Sequence, residues 1–162
     1  MTKPDVLVVE LVSTDAIRPA PWNVRTGHDV AGIADSLRVH GFRDPIEAWR
    51  DTGEIVAGEG RYRAALQLEL DRVPVIWHDF DSLASAKRYA IANNRLGDKS
   101  QFDHAALVDQ LQSLDGLDGT GFDASELDAL DPTFEPVSAD EQGSLDEKSP
   151  VICPECGHEF QL

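Results

Sequence analysis

The sequence predicts an α+β fold, and three observations carry that reading. β-rich runs alternate with segments in which apolar residues recur at helical spacing. Two of the runs flank a tight-turn signal, as in a hairpin. A hydrophobic content of 41% over 162 residues is enough for one packed core with an appendage. The first run, "DVLVVELV" (5–12), reads as a strand, and "STDAIRPAPWNVR" follows it as a Pro-rich loop carrying Asn23 and Arg25. Helical spacing returns at Val30, Ile33, Ala34 and Leu37, with Asp29 placed to cap the start and Gly41 to end the helix. "PIEAWR" and "EIVAG" surround "DTG" and form the expected hairpin, and "VPVIWHDF" is a further strand. Asp81 or Ser82 can cap a helix running to about Leu96, with Leu83, Ala86, Ala90 and Ile91 inward. Another helix carries Leu107, Leu111 and Leu114, and "DASELDAL" opens with a capping-box pair, Asp123 and Glu126, before Pro132 stops it.

The stretch "EIVAGEGRYRAALQL" (54–68) raises a chemical question. Glu54 to Ala57 read as a short buried strand, Gly58 and Gly60 as a turn, and Tyr62, Leu66 and Leu70 as one face of a helix, with Ala65 beside them. Arg61 and Arg63 then lie beside the positive end of the helix dipole, where a cation is unfavourable by roughly 0.3–1 kcal/mol. An anion resolves the conflict. The first N–H groups of a helix lack internal partners, glycines admit a ligand close to the backbone, and guanidinium groups fit phosphate oxygens. Glu59 would then act through a magnesium ion. On the residues alone an equal alternative stands, in which both arginines are solvated and the glycines only turn the chain. The phosphate reading carries a corollary: Arg61→Ala should leave the unliganded fold unchanged or slightly more stable.

Charge divides the chain. The whole carries −16, but residues 1–96 hold 12 Lys and Arg against 14 Asp and Glu, whereas residues 97–162 hold 2 against 16. An acid half of this kind repels nucleic acid and suits solubility or a basic protein partner. No run approaches the roughly 18 apolar residues of a membrane span, and the N-terminus lacks a signal-peptide pattern, so a cytoplasmic protein without membrane contact is expected. Residues 132–150 read as a disordered acidic linker.

The only cysteines are in "VICPECGHEF". Cys153 and Cys156 have the spacing of half a zinc ribbon, with His158 as a further donor, and a second copy of the chain could complete a zinc-bridged homodimer. Free thiols and redox chemistry are the alternatives. His28, His40, His78 and His104 share no spacing and read as surface or edge residues, and Trp22, Trp49 and Trp77 as packing residues.

Four motifs in order carry a family resemblance. "GEGRYRAAL" resembles the GERRxRAA box of the ParB/sulfiredoxin superfamily, "IRPAPWNVR" its I.P.P.NPR segment, "GFRDPI" its G...PI segment and "VPVI" the strand after its helix. The later stretch "YAIANNRLGDKSQFDHAALVDQLQSL" with "TGFDASELDAL" is similar to ParB-like proteins of phages and of DNA-methyltransferase systems, which commonly end in CPxCGHxF. The chain departs from the pattern at Gly60, Val24 and "ANNR".

The resemblance implies a ParB/sulfiredoxin-like mixed sheet with packed helices in residues 1–96. A helical extension (97–131), the acidic linker (132–150) and a half zinc ribbon (151–162) follow. It implies a site for a nucleoside triphosphate, CTP or ATP, with Mg2+. The residues carried over are Gly41, Phe42, Arg43, Pro45 and Ile46, then Gly58, Glu59, Gly60, Arg61, Tyr62 and Arg63, then Asn93, Asn94 and Arg95. The expected function is a nucleotide-binding or hydrolysing module in phage or mobile-element DNA metabolism. A small-molecule kinase on the same site and a non-enzymatic adaptor recruiting a DNA-modifying or packaging partner are the alternatives. Sulfiredoxin chemistry is excluded because the turn has no cysteine. Site-specific DNA binding is not expected, because residues 102–130 contain no Lys or Arg.

Overall fold

The computed structural model describes residues 6–130, 151–152, 156 and 159–160. The chain divides into two compact units, Met1–Asp131 and Pro132–Leu162. The first contains β1 (Val9–Ser13), a 3-10 turn (Thr14–Ala16), β2 (Arg18–Pro19), α1 (Val30–His40), β3 (Ile46–Trp49) and β4 (Glu54–Ala57). It continues with α2 (Glu59–Gln67), β5 (Arg72–His78), α3 (Leu83–Gly97), α4 (His104–Gln112) and α5 (Ala124–Leu130). In the second unit β6 (Val151–Ile152) pairs antiparallel with β7 (Glu159–Phe160).

Five strands form one mixed sheet in the order β1-β5-β3-β4-β2. β3 and β4 are the expected antiparallel hairpin, whereas β3 runs parallel to β5 and β2 parallel to β4. Alternation along each strand sends successive side chains to opposite faces. Ile46, Ala48, Ile55, Val73 and Val75 pack on one face with Ala65 of α2, and α1 packs against α2. Val56 faces the other way and packs with Ala86 and Ala90 of α3, flanked by Trp22, Trp49, Phe80 and Tyr89. The sheet is therefore sandwiched between helices, an α+β fold as the sequence predicts.

Several local expectations need correction. The first strand starts at Val9 rather than Asp5, and the Pro-rich loop contains the two-residue strand β2. Gly60 lies inside α2, not in a turn before it. The helix stops before Leu70, because Glu69 takes a left-handed conformation (φ 54°) and Leu70 N–H donates back to Ala65 O at 3.0 Å. The buried face of α2 is Ala64 and Ala65, while Leu66 and Leu70 are exposed. Small residues let this helix approach the sheet closely, so the larger side chains are left at its sides. Likewise Ala86 and Ala90 of α3 are buried and Leu83 and Ile91 are exposed.

The caps agree with the sequence. Asp29 accepts from Gly32 N–H, Gly41 (φ 71°) ends α1, and Ser82 accepts from Ser85 N–H. Asp123 and Glu126 make the reciprocal capping-box bonds, at 2.8 and 3.0 Å. The hydroxyl of Ser125 and that backbone bond hold the Asp123 carboxyl below its usual range. The region after α4 folds back on α1, where Gly119 N–H donates to Asp35 Oδ2 at 3.0 Å. The proposed linker, Cys153 and His158 lie outside the described residues, and Cys156 is exposed with a free thiol.

Candidate functional site

The strand β4 ends at Ala57 and the chain turns directly into α2 through Gly58, whose backbone (φ 90°, ψ 23°) is left-handed and favours glycine. The first intrahelical bond runs from Tyr62 N–H to Gly58 O at 3.1 Å. The N–H groups of Glu59, Gly60 and Arg61 therefore have no helical acceptor. They stand at a cavity of about 250 Å³ lined by the Gly58–Arg61 turn, Asn23, Arg25, His28 and, from α3, Asn93 and Asn94. An adjoining hollow is lined by Ile33, Leu37, Gly41, Arg43, Asp44 and Arg61.

Each charged group at this turn already has a partner in the unliganded protein. Arg61 bends back over Gly58: its guanidinium donates to Asp44 O at 2.6 Å and Pro45 O at 2.9 Å, and pairs with the Asp44 carboxylate. It ties the loop after α1 to the start of α2. Glu59 is buried. Its Oε2 accepts from Asn23 Nδ2 at 2.6 Å, and its Oε1 accepts from Arg63 at 2.5 and 2.9 Å. Arg25 reaches across the cavity mouth, donating to Asn94 Oδ1 and Asp98 Oδ1, each at 3.1 Å. Exposed ion pairs of that kind contribute at most about 1 kcal/mol, so Arg25 can be recruited by a stronger anion at small cost.

The structure brings Asn23, Arg25, Gly58, Glu59, Gly60, Arg61, Asn93 and Asn94 together around one cavity and places Gly41 and Arg43 in the hollow beside it. Other predicted residues lie apart. Ile46 is fully buried in the core, and Phe42 and Tyr62 pack against it. Pro45 contributes its carbonyl to Arg61 and Arg63 serves Glu59, whereas Arg95 lines a hollow that shares Arg25 and Asn94 with the cavity.

His28 is a correction: it is half-buried and lines the cavity rather than standing at the surface. A Cβ at Gly60 would come within 2.8 Å of Ile33 Cδ1 and 3.4 Å of His28 Nδ1. Glycine at 60 is what lets these two side chains form the cavity wall, a coupling that no local sequence signal announces. Asp98 and Asp44, the acids that hold Arg25 and Arg61, are also absent from the sequence-based set. Among the described residues no cluster of three or more His, Cys, Asp or Glu could hold a metal ion, and no helix is long and apolar enough to cross a membrane.

A mixed sheet whose central hairpin delivers a glycine-capped helix to an Arg- and Asn-lined cavity defines an α+β domain with a helix start at the cavity wall. The chain belongs to the ParB N-terminal domain family, which matches residues 3–94. It is 37% identical over 79 residues to a nucleoid occlusion protein of Listeria monocytogenes, covering 45% of this chain and 28% of that protein. A nucleoid occlusion protein of Bacillus thuringiensis is 31% identical over 107 residues, covering 62% of this chain and 37% of that one. The chain thus spans well under half the length of these curated relatives. Among solved structures, the C-terminally truncated chromosome-partitioning protein ParB of Caulobacter crescentus, complexed with CTP-γ-S, superposes with a TM-score of 0.54 and 26% identity. That match covers 65% of this chain and 63% of the ParB chain.

Proposed function

We propose that this domain binds a nucleoside triphosphate, CTP before ATP, with its phosphates at the start of α2. The observation that carries the reading is the set of free N–H groups from Glu59 to Arg61 opening on a cavity that also presents Arg25, Asn93 and Asn94. The CTP-γ-S held by the Caulobacter relative favours cytidine. The base and ribose fit the adjoining hollow, where Ile33 and Leu37 supply apolar contact and Arg43 a donor.

Magnesium enters on the phosphates. Among the described residues Glu59 is the only carboxylate lining the cavity, and both of its oxygens are taken by Asn23 and Arg63. Its part is to orient Asn23 and hold the first turn of α2, and direct ligation of a metal would break those bonds. The cellular setting we favour is phage or mobile-element DNA metabolism. There the acid half meets a basic partner, and the CPECGH segment shares a zinc ion between two copies.

Calorimetric titration with the four ribonucleoside triphosphates, with and without Mg2+, tests the site. CTP should bind. Glu59→Gln should weaken binding in both conditions, because its role does not run through the metal. Failure of all four nucleotides to bind removes the reading. Transfer of labelled γ-phosphate to a small molecule would replace it with the kinase, and binding without turnover would favour the adaptor.

A further inference from the structure

His28 stands on the cavity wall with a polar atom that the rest of the site leaves unused. Its backbone is fixed at the entry to α1: Val30 N–H donates to His28 O at 2.9 Å, and the next residue, Asp29, caps the helix. The ring is half-buried and lies against Gly60, where a Cβ would come within 3.4 Å of Nδ1 and 3.5 Å of Cγ. Nδ1 is therefore the ring nitrogen beside the first turn of α2, whose N–H groups from Glu59 to Arg61 have no helical acceptor. Nε2 is placed differently. It is buried, and among the described residues it has no hydrogen-bond partner. Buried polar atoms are nearly always paired, so an unpaired one in the wall of a cavity calls for a physical account.

A neutral imidazole carries one proton; the nitrogen that holds it donates and the other accepts. On Nε2 that proton would have no acceptor to meet. On Nδ1 it stands beside a helix start, where backbone dipoles attract an anion. The protein offers little competition for it. Among the described residues Glu59 is the only carboxylate on the cavity wall, and its two oxygens accept from Asn23 and Arg63. We propose that His28 binds the triphosphate directly as its Nδ1–H tautomer, donating to a phosphate oxygen beside the free N–H groups of α2. This rests on the triphosphate reading of the site. The dry surroundings of Nε2 select the tautomer, and glycine at 60 leaves the ring room to reach the helix start. The phosphates are then held from the loop before α1 as well as from α2.

Substitutions at this position separate the donor from the ring. His28→Phe keeps a ring in the wall and removes both nitrogens. His28→Asn puts an amide nitrogen where Nδ1 stands, and His28→Gln puts one where Nε2 stands. In calorimetric titrations with CTP and Mg2+, His28→Phe and His28→Gln should weaken binding roughly ten- to a hundredfold, the range of a hydrogen bond to a charged acceptor. His28→Asn should recover most of that loss. A second readout needs no variant. In the CTP complex of the wild-type protein, the imidazole 15N signals of His28 should place the proton on Nδ1 and leave Nε2 bare. A complex with a proton on Nε2 overturns the proposal, and so does a His28→Asn variant that binds no tighter than His28→Gln. A wild-type protein that binds no triphosphate overturns the site reading and this inference with it. Wild-type binding that His28→Phe leaves unchanged overturns the inference alone.

Discussion

Arg61 shows how a contact reverses the sign of an argument from local sequence. The dipole of α2 disfavours a cation in its first turn by roughly 0.3–1 kcal/mol, which would make Arg61→Ala neutral or mildly stabilising in the free protein. The structure instead gives the guanidinium two carbonyl acceptors and the Asp44 carboxylate, with the side chain only 23% exposed. Hydrogen bonds to a charged group contribute about 1.5–3 kcal/mol each, more than the dipole penalty even after discounting for exposure. Arg61→Ala is therefore expected to destabilise the unliganded protein by about 1–2 kcal/mol and to loosen the Arg43–Pro45 loop. Urea denaturation of the free protein decides between the two signs; an unchanged midpoint would mean that the dipole argument was sufficient. The sequence announces Arg61 as an anion ligand, and its anchoring role escaped because Asp44 lies 17 residues away, beyond any local pattern.

α2 is bounded by left-handed residues at both ends, and only one is glycine. Gly58 has φ 90° and Glu69 φ 54°. A Cβ in that region costs roughly 1–2 kcal/mol, and at Gly58 it would also lie 3.2 Å from Arg61 Nη2. Gly58→Ala should cost at least that much and weaken ligand binding, because it tilts the free N–H groups. Glu69→Gly removes the same strain at the other end. It should gain a few tenths to 1 kcal/mol, reduced by glycine's greater freedom in the unfolded chain. Opposite shifts in melting temperature for the two variants check the pair; equal signs would refute it. The same helix marks the boundary of what the sequence can reveal. Caps and turns are short-range chemistry, so Asp29, Gly41, Ser82 and the Asp123–Glu126 box are readable in advance. The faces of α2 and α3 are not, because the residues that meet the sheet are alanines and the larger side chains misdirect the periodicity. The site follows the same division. Its glycine turn can be read from a few adjacent residues, whereas the Asn23–Glu59 bond joins residues 36 apart and needs the fold.

The distribution of charge over the molecule sets what it can bind at long range. Of the −16 total, −14 belongs to residues 97–162, and the arginine-bearing front is close to neutral. α4 and α5 contain Asp109, Glu126 and Asp128 and no Lys or Arg, so neither can make the phosphate contacts that hold a recognition helix in a groove. Three of the cations near the site are engaged by carboxylates, Arg25 by Asp98, Arg61 by Asp44 and Arg63 by Glu59, while Arg43 donates to the His40 carbonyl. A triphosphate can outcompete a single exposed carboxylate, since it concentrates several charges in one small cavity. Duplex DNA spreads its charge along a line and is repelled by the net negative charge of the chain. The protein should therefore bind nucleotide while showing no preference for any duplex sequence, and residual DNA affinity should fall steeply between about 50 and 200 mM salt. Fluorescence anisotropy with random and defined duplexes, with and without CTP, measures this. A salt-resistant footprint on one defined sequence would show that these 162 residues recognise DNA by a surface other than their helices, and the charge argument would then fail.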